Sequence, residues 1–457
     1  MTRTMRQAFA AALALSALSA AAELALPRPA LAKRLAAEEE IIGLIHWGPD
    51  TYTDREWGYG DEDPAIVNPD RFDADQIVGA CKAGGVCGIV LVAKHHDGFC
   101  LWPTKTTGHN ISKSPFRGGR GDCVKEIEQA CRRAGLKFGV YVSPWDRNNA
   151  DYGTEKYVET YHGQLRELLS GDYGEIFEVW FDGANGGDGW YGGAKENRRI
   201  PPGYYRFDEV FRFVRDKHRD AVIFCGEEPA GDLRWPGNER GFVAPDSRAT
   251  QTIDTPERGR TPVFKMIEAD FPLRNGWFWH AKDRGRSKSA AWLMKIYLTA
   301  VGNGAVMNIG VAPDKHGLVD EEDVRSLAGF KAIKDAFFAN EVAAESGDDF
   351  NVVVMREDVS EGEKVEGWEF SAHGKTLFSG RSIGYKRIRI LSEPVAAKDC
   401  EVRITAAGGD GKTQVTFKLY HADEELVKTV MDSTVSSGET DTAIWMKAGR
   451  QGQVFDP

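Results

Sequence analysis

From about residue 38 to residue 340, short apolar runs alternate with longer amphipathic stretches. IIGLIHW (41–47), CGIVLVA (87–93), KFGVYVS (137–143), IFEVWF (176–181) and AVIFC (221–225) are continuous rather than alternating runs. That pattern predicts parallel strands buried on both faces. Between them lie the helical patterns ADQIVGACKAG, DCVKEIEQACRRAG, EKYVETYHGQLRELLS and RFDEVFRFVRDK, the second opened by Asp122 as N-cap and closed by Gly135. KSAAWLMKIYLTAVGNG, AVMNIG and DEEDVRSLAGFKAIKDAF continue the alternation. Repeated strand–helix units of this length predict an α/β fold, a (β/α)8-like (TIM-type) barrel over residues 33–342, with a doubly wound open sheet as the second choice. From about residue 345 the pattern changes to short β-rich segments, FNVVVMRE, VEGWEFSA, KTLFSG, YKRIRILS, CEVRITA and QVTFKLYH, separated by Gly, Asp and Ser turns. These predict a C-terminal all-β sandwich over residues 343–457 that braces the barrel more readily than it binds glycan, since no aromatic cluster stands out there. Residues 434–457 carry no clear element pattern.

Polar and aromatic residues gather where the strands end. His46-Trp47 follow the first run, His95-His96-Asp97 the second, Ser143-Pro144-Trp145 the third and Asp182-Gly183 the fourth. In barrel enzymes the C-terminal strand ends build the active site. No GxGxxG follows an early strand, which removes the usual dinucleotide-binding reading of an open sheet.

Composition narrows the classes. A net charge of −11 argues against a nucleic-acid partner, because phosphate binding needs a basic surface. The N-terminus reads as a secretory leader over residues 1–32: two arginines in MTRTMRQ, the apolar AFAAALALSALSAAA, then Ala30-Leu31-Ala32 as an A-x-A cleavage site. Glu23, Pro27 and Pro29 break that run too early to span a bilayer, and no later segment is long and apolar enough to do so. The mature protein is expected to be exported, to a bacterial periplasm or the exterior, without a membrane span. Seven cysteines without CxxC spacing leave at least one thiol out of any disulfide and make a cysteine-based zinc site improbable. Twelve tryptophans fit either core packing or stacking on sugar faces, and only their positions can decide.

Three imidazoles, His46, His95 and His96, converge on one predicted barrel mouth, with Glu56, Trp57 and Lys94 near in sequence. Neighbours on an extended strand point to opposite faces, so His95 and His96 could chelate one ion only past the strand's end. No HExxH or comparable ligand spacing accompanies them. Such a lining suits sugar hydroxyls. Asp182, in WFDGANG, stands at a strand end against Trp180, where an Asx-turn would be the bland reading. Glycosidic cleavage needs a second carboxyl, and Glu227, Glu228 and Glu239 are the downstream candidates.

The ordered set IIGLIHWGPDTY, REWGYG, LVAKHHDGFCLWPTKTTGHNISKSPFRGGRGD, GLKFGVYVSPWDRN, EVWFDGANG, RWPGNERG, NGWFWH and VGNGAVMNIGVAPDKHG resembles the α-L-fucosidases of glycoside hydrolase family 29 over residues 38–325. The resemblance implies a catalytic barrel followed by a β-sandwich, retention of anomeric configuration, no cofactor and no catalytic metal. It implies Asp182 as nucleophile, and His46, Glu56, Trp57, His95, His96, Tyr141 and Trp180 as fucose-pocket residues, with the histidines as donors to the sugar. Trp277 is implied to pack on the C5 methyl group. RWPGNERG resembles the branch that acts on α-1,3 and α-1,4 linkages and implies Glu239 as acid/base, although Pro236 and the preceding GEEPAG depart from that branch. The implied partner is a fucosylated oligosaccharide or glycoconjugate. A non-catalytic fucose-binding protein and a retaining hydrolase of a related sugar are the rival readings.

Overall fold

The computed structural model describes residues 25–225, 231–255, 259–409 and 411–434. Eight parallel strands close into a barrel: β1 (Ile41–Ile45), β2 (Gly88–Lys94), β3 (Lys137–Val142), β4 (Ile176–Phe181), β5 (Val222–Cys225), β6 (Leu233–Arg234), β7 (Met266–Pro272) and β8 (Ala305–Val311). Each pairs with the next in sequence, and β8 returns to β1 with Ile41 beside Met307 and Ile45 beside Val311. Every residue of β1, β2, β4, β5 and β8 is buried, as strands covered on both faces require. The open sheet is thereby excluded.

Helices α1 (Pro29–Ala36), α2 (Ala74–Ala83), α3 (Cys123–Ala134), α4 (Glu155–Leu168), α5 (Phe207–Lys217), α6 (Ala290–Ala300) and α7 (Glu321–Phe337) accompany the barrel. Asp122 caps α3 by accepting from the Lys125 amide, and Gly135 ends it in the left-handed region at φ 71°. Among the described residues no helix follows β5 or β6; a two-stranded ribbon, Thr250–Thr255 with Gly259–Phe264, precedes β7 instead. The pattern of apolar runs did not reveal β7. Its sequence MIEADFP carries Glu268 and Asp270 into the barrel interior, which breaks the continuous apolar run that marks the other strands. No described helix is long and apolar enough to cross a membrane.

Helix α1 packs across the N-terminal end of the barrel. Ala30, Leu31 and Leu35 pack with Ile42, Leu44, Val90 and Met266, so two residues of the expected cleavage motif are core residues here. Arg34, 3% exposed, donates to Glu178 at 2.6 Å and lies 3.7 Å from Glu268. Burial first, then the neighbouring Glu268, pushes Glu178 well above the ordinary carboxylate range. One guanidinium therefore serves two buried carboxyl groups. Arg34→Met should lower unfolding free energy by about 3–5 kcal/mol, the cost of stranding a buried charge. Chemical denaturation checks this, and a loss below about 1 kcal/mol would mean water or protonation replaces the guanidinium easily.

The chain continues into a four-stranded antiparallel sheet and a three-stranded one. Phe350, Met355, Trp368, Phe370 and Leu419 form the core of this unit. Trp368 is buried, so the sandwich offers no exposed indole. It meets the barrel instead: Glu363 accepts from the Ala249 and Thr250 amides, and Arg387, fully buried, donates to the carbonyls of Pro245 and Ser247. These contacts pin the segment between β6 and β7. All seven cysteines stand outside disulfides; five are buried, and burial pushes the Cys81 thiol up to about 12, so packing is their use in the core.

Candidate active site

A cavity of about 940 Å³ opens at the C-terminal ends of the barrel strands. His46, Glu56, Trp57, His95 and His96 line it together with Tyr141, Trp180, Asp182, Glu239 and Trp277, so all ten residues singled out in the sequence meet in one place. Glu227 and Glu228 lie outside the described residues.

β2 ends at Lys94, with a register shift against β3 between Val92 and Lys94. Beyond that point the alternation of faces no longer applies, and the His95 and His96 rings lie side by side with centroids 4.1 Å apart. His46 meets His95 edge-on at 5.7 Å and packs on Trp277 at 5.0 Å. Burial, then the charge His95 would carry, lowers both His46 and His96 well below the ordinary imidazole range, so both are neutral. The Ser143 hydroxyl donates to the Trp145 carbonyl at 3.0 Å, so the 2.7 Å bond between Ser143 Oγ and His96 Nδ1 runs from the ring. This leaves His96 Nε2 as an acceptor, not the donor that the resemblance implied. Lys94 is absent from the lining. It is fully buried, with Nζ donating to Tyr157 and Gln164 of α4 and facing Asp146, because the last strand residue points away from the mouth. Among the described residues, no group of three or more His, Cys, Asp or Glu side chains is disposed to hold a metal ion.

Asp182 follows β4 directly. Its Oδ1 accepts from the Ala184 amide at 2.6 Å, an Asx-type turn, and its Oδ2 accepts from the Tyr141 hydroxyl at 3.0 Å. The bland reading and the functional one thus coexist: the turn aims the carboxylate. Burial raises Asp182 above its ordinary value, opposed by the Ala184 and Tyr141 hydrogen bonds and by His95. Beneath it, Tyr141 stacks on Trp180 at 5.1 Å, and Trp180 stacks on Phe224 at 3.8 Å. The Trp180 indole donates to Glu268, which also accepts from Asn308 and faces Arg34. A chain of packed and bonded groups connects α1 to the Asp182 carboxylate.

Glu239 sits on the loop after β6. Asn238 braces that loop, accepting from the Arg240 and Phe242 amides and donating to the Phe242 carbonyl. Glu239 stands at the rim and accepts from the Trp277 indole. Partial burial raises its pKa, the Trp277 bond opposes this, and the charges of Asp182 and Glu56 raise it further. A carboxyl held protonated beside an ionised partner is the arrangement that general-acid chemistry needs.

Glu56 lines the cavity, yet protein donors engage both of its oxygens: Oε2 accepts from the Trp277 amide at 2.7 Å and Oε1 from His280 Nε2 at 2.5 Å. Gly276 permits this approach, since a Cβ there would lie 2.2 Å from Oε1. His280 bonds Asp54 through its other nitrogen at 2.7 Å. Although burial opposes it, the two carboxylates raise the His280 pKa, so the ring is an imidazolium donating from both nitrogens. This ordering contribution is complete below the ordinary histidine value and fades as pH rises through the raised one. His280 belongs to NGWFWH but was not among the residues singled out. A lone histidine three positions beyond Trp277 carries no sequence signal of two carboxylates distant in the chain. His280→Gln should raise KM for a substrate of this pocket about ten-fold while kcat changes little, as steady-state kinetics would report. Asp270 was missed too: on β7, 3% exposed, it lines the cavity with Oδ1 unpartnered and accepts from the Trp235 indole.

With this geometry in view, the sequence model described as Alpha-L-fucosidase matches residues 37–332, which is most of the barrel. The chain belongs to the alpha-L-fucosidase family. Alpha-L-fucosidase 1 of Arabidopsis thaliana is 36% identical over 355 residues, covering 73% of this chain and 67% of the relative. A homologue from Oryza sativa subsp. japonica is 38% identical across 70% of this chain and 61% of its own length, so the chain spans about three fifths of that relative. Among solved structures, a glycoside hydrolase 29 family member from an unknown rumen bacterium superposes with a TM-score of 0.82 at 32% identity, over 92% of this chain and 80% of that one. A Ruminococcus gnavus GH29 fucosidase in complex with fucose superposes with a TM-score of 0.77 at 24% identity, covering 89% of this chain and 97% of that one, and speaks for the shared fold alone.

Proposed function

We propose that this member of the family is an exo-acting, retaining α-L-fucosidase that hydrolyses terminal α-L-fucose, in α-1,3 or α-1,4 linkage, from glycans. The observation that carries the reading is the pair Asp182 and Glu239 on one cavity, the first aimed by Tyr141 and Ala184, the second biased toward its protonated form. In the first step Asp182 attacks the anomeric carbon, the glycosidic C–O bond breaks, and Glu239 gives its proton to the leaving oxygen. In the second, Glu239 takes a proton from water, the water oxygen displaces Asp182, and L-fucose leaves with its configuration retained. Retention calls for carboxyl groups roughly 5–5.5 Å apart. His46, His95 and His96 supply polar contacts for hydroxyls, and the Trp277 ring, packed on His46, offers an apolar wall for a methyl group. That wall disfavours a sugar with a hydroxyl at C6. A panel of α-1,2, α-1,3, α-1,4 and α-1,6 fucosylated oligosaccharides tests linkage; release from the α-1,6 member alone would reject the assignment. Proton NMR of the first-formed anomer tests retention.

Export by an N-terminal leader is part of the same proposal. Residues 1–24 lie outside the described residues. Because Ala30 and Leu31 pack under the barrel and Arg34 serves two buried carboxyls, the cut should fall before α1, not after Ala32. N-terminal sequencing of the exported protein should begin upstream of Pro29; a start at Lys33 would reject this placement.

A further inference from the structure

Only four large hydrophobic side chains stand exposed among the described residues, and two of them, Trp57 at 52% and Trp235 at 43%, line the one cavity. Trp57 lies against His96 and Trp145, on the side of β2 and β3. Trp235 lies on the side of β6 and β7, across the barrel in the strand order. The two indoles therefore stand on opposite sides of the mouth. The cavity, about 940 Å³, has the capacity of sites that enclose drug-sized ligands and exceeds what one monosaccharide needs.

Trp235 is not a loosely placed surface ring. Its indole N–H, the only hydrogen-bonding group the side chain has, is given to the buried Asp270 carboxyl. Pro236 follows immediately and restricts the Trp235 backbone to extended conformations. The loop beyond is braced by Asn238 and closes on Gly241, where an added Cβ would lie 2.5 Å from Ile296. One edge of the indole is thus anchored while the ring keeps solvent access, the amphipathic posture that suits an interface. Asp270 is 3% exposed, lines the cavity, and keeps Oδ1 without a protein partner. A buried carboxyl oxygen left in that condition is costly unless a ligand or water engages it.

Building on the fucosidase reading, we propose that Trp235 and Asp270 form the binding site for the sugar to which fucose is attached. The exposed indole stacks on the C–H face of that neutral pyranose, and Asp270 fixes the indole's orientation while its second oxygen meets a hydroxyl of the bound glycan. The site explains why the glutamate loop carries a tryptophan four positions before Glu239: the same loop places the proton donor and the ring that grips the departing sugar.

The test compares wild type, Trp235→Ala, Trp235→Phe and Asp270→Ala on an α-1,3- or α-1,4-fucosylated trisaccharide and on α-L-fucosyl fluoride, whose leaving group has no ring to stack. Trp235→Ala should lower the ratio of trisaccharide to fluoride kcat/KM by about ten-fold or more, chiefly through KM, in line with the loss of an aromatic anchor. Trp235→Phe should recover most of that ratio. Asp270→Ala should lower it too, and the double variant should be no worse than Trp235→Ala alone. An unchanged ratio in Trp235→Ala, from intact activity or from equal loss on both substrates, overturns the assignment. A wild-type chain that releases fucose from neither substrate removes the fucosidase reading itself, and the leaving-group site with it.

Discussion

Asp182→Ala should reduce turnover of every fucoside by a factor on the order of 10⁴–10⁶, the range seen when a nucleophile is deleted, while fucose still binds within a few-fold of its wild-type affinity. The two expectations separate because the sugar's hydroxyls meet the histidines whereas Asp182 meets only the reacting carbon. The alanine variant has a confounder: it also deletes the acceptor for the Ala184 amide, and with it the turn that ends β4. Asp182→Asn resolves this. An amide oxygen can still accept from Ala184, but the group carries no charge and attacks poorly. Equal inactivation of Asn and Ala variants identifies the lost function as nucleophilic; recovery in Asn would identify it as the turn. Added azide should rescue the alanine variant by displacing the leaving group directly, giving a fucosyl azide of inverted configuration. Near-wild-type hydrolysis by either variant would end Asp182's candidacy.

Glu239→Ala should cost about 10³-fold on fucosylated oligosaccharides, within the usual span of general acid catalysis, and far less in bond cleavage for an aryl fucoside whose leaving group needs no proton. With the aryl substrate the second step then limits, so a burst of phenol and a lowered KM should appear. The pH profile offers an independent check. Activity needs Asp182 ionised and Glu239 protonated. Burial raises Asp182, which moves the acidic limb of kcat/KM up. Burial together with the charges of Asp182 and Glu56 raises Glu239, which moves the alkaline limb up. Both limbs are properties of the interacting pair. The alkaline limb should vanish in Glu239→Ala. Equal losses on both substrates, with that limb retained, would send the proton-donor role elsewhere in the cavity, and Asp270, which burial pushes well above the carboxylate range, would be the first candidate.

Much of the barrel could be read from the order of residues. Strands buried on both faces must be continuously apolar, and helices lying on a core must be amphipathic, so β1 to β5, β8 and six of the outer helices leave a periodic trace. Asp122 and Gly135 mark the ends of α3 because capping is a local hydrogen-bonding matter. The ten pocket residues were legible because each sits in a motif at a strand end, and closure of the barrel brings those ends to one mouth. β6 and β7 left no such trace. The first is two residues long, and the second interrupts its apolar run with carboxyl groups that turn inward.

By itself, then, the sequence determined the order of elements, the family and the set of side chains facing the mouth, since these depend on local periodicity and on motif identity. Tertiary structure alone decided what each of those groups can do there. His96 is an acceptor because Ser143 takes its ring proton, Glu56 is braced by a histidine 224 positions away, Lys94 faces the core, and Arg34 reaches two carboxyls from beneath the barrel. Burial, charge and hydrogen-bond partnership are relations between residues distant in the chain, and only the closed fold supplies them.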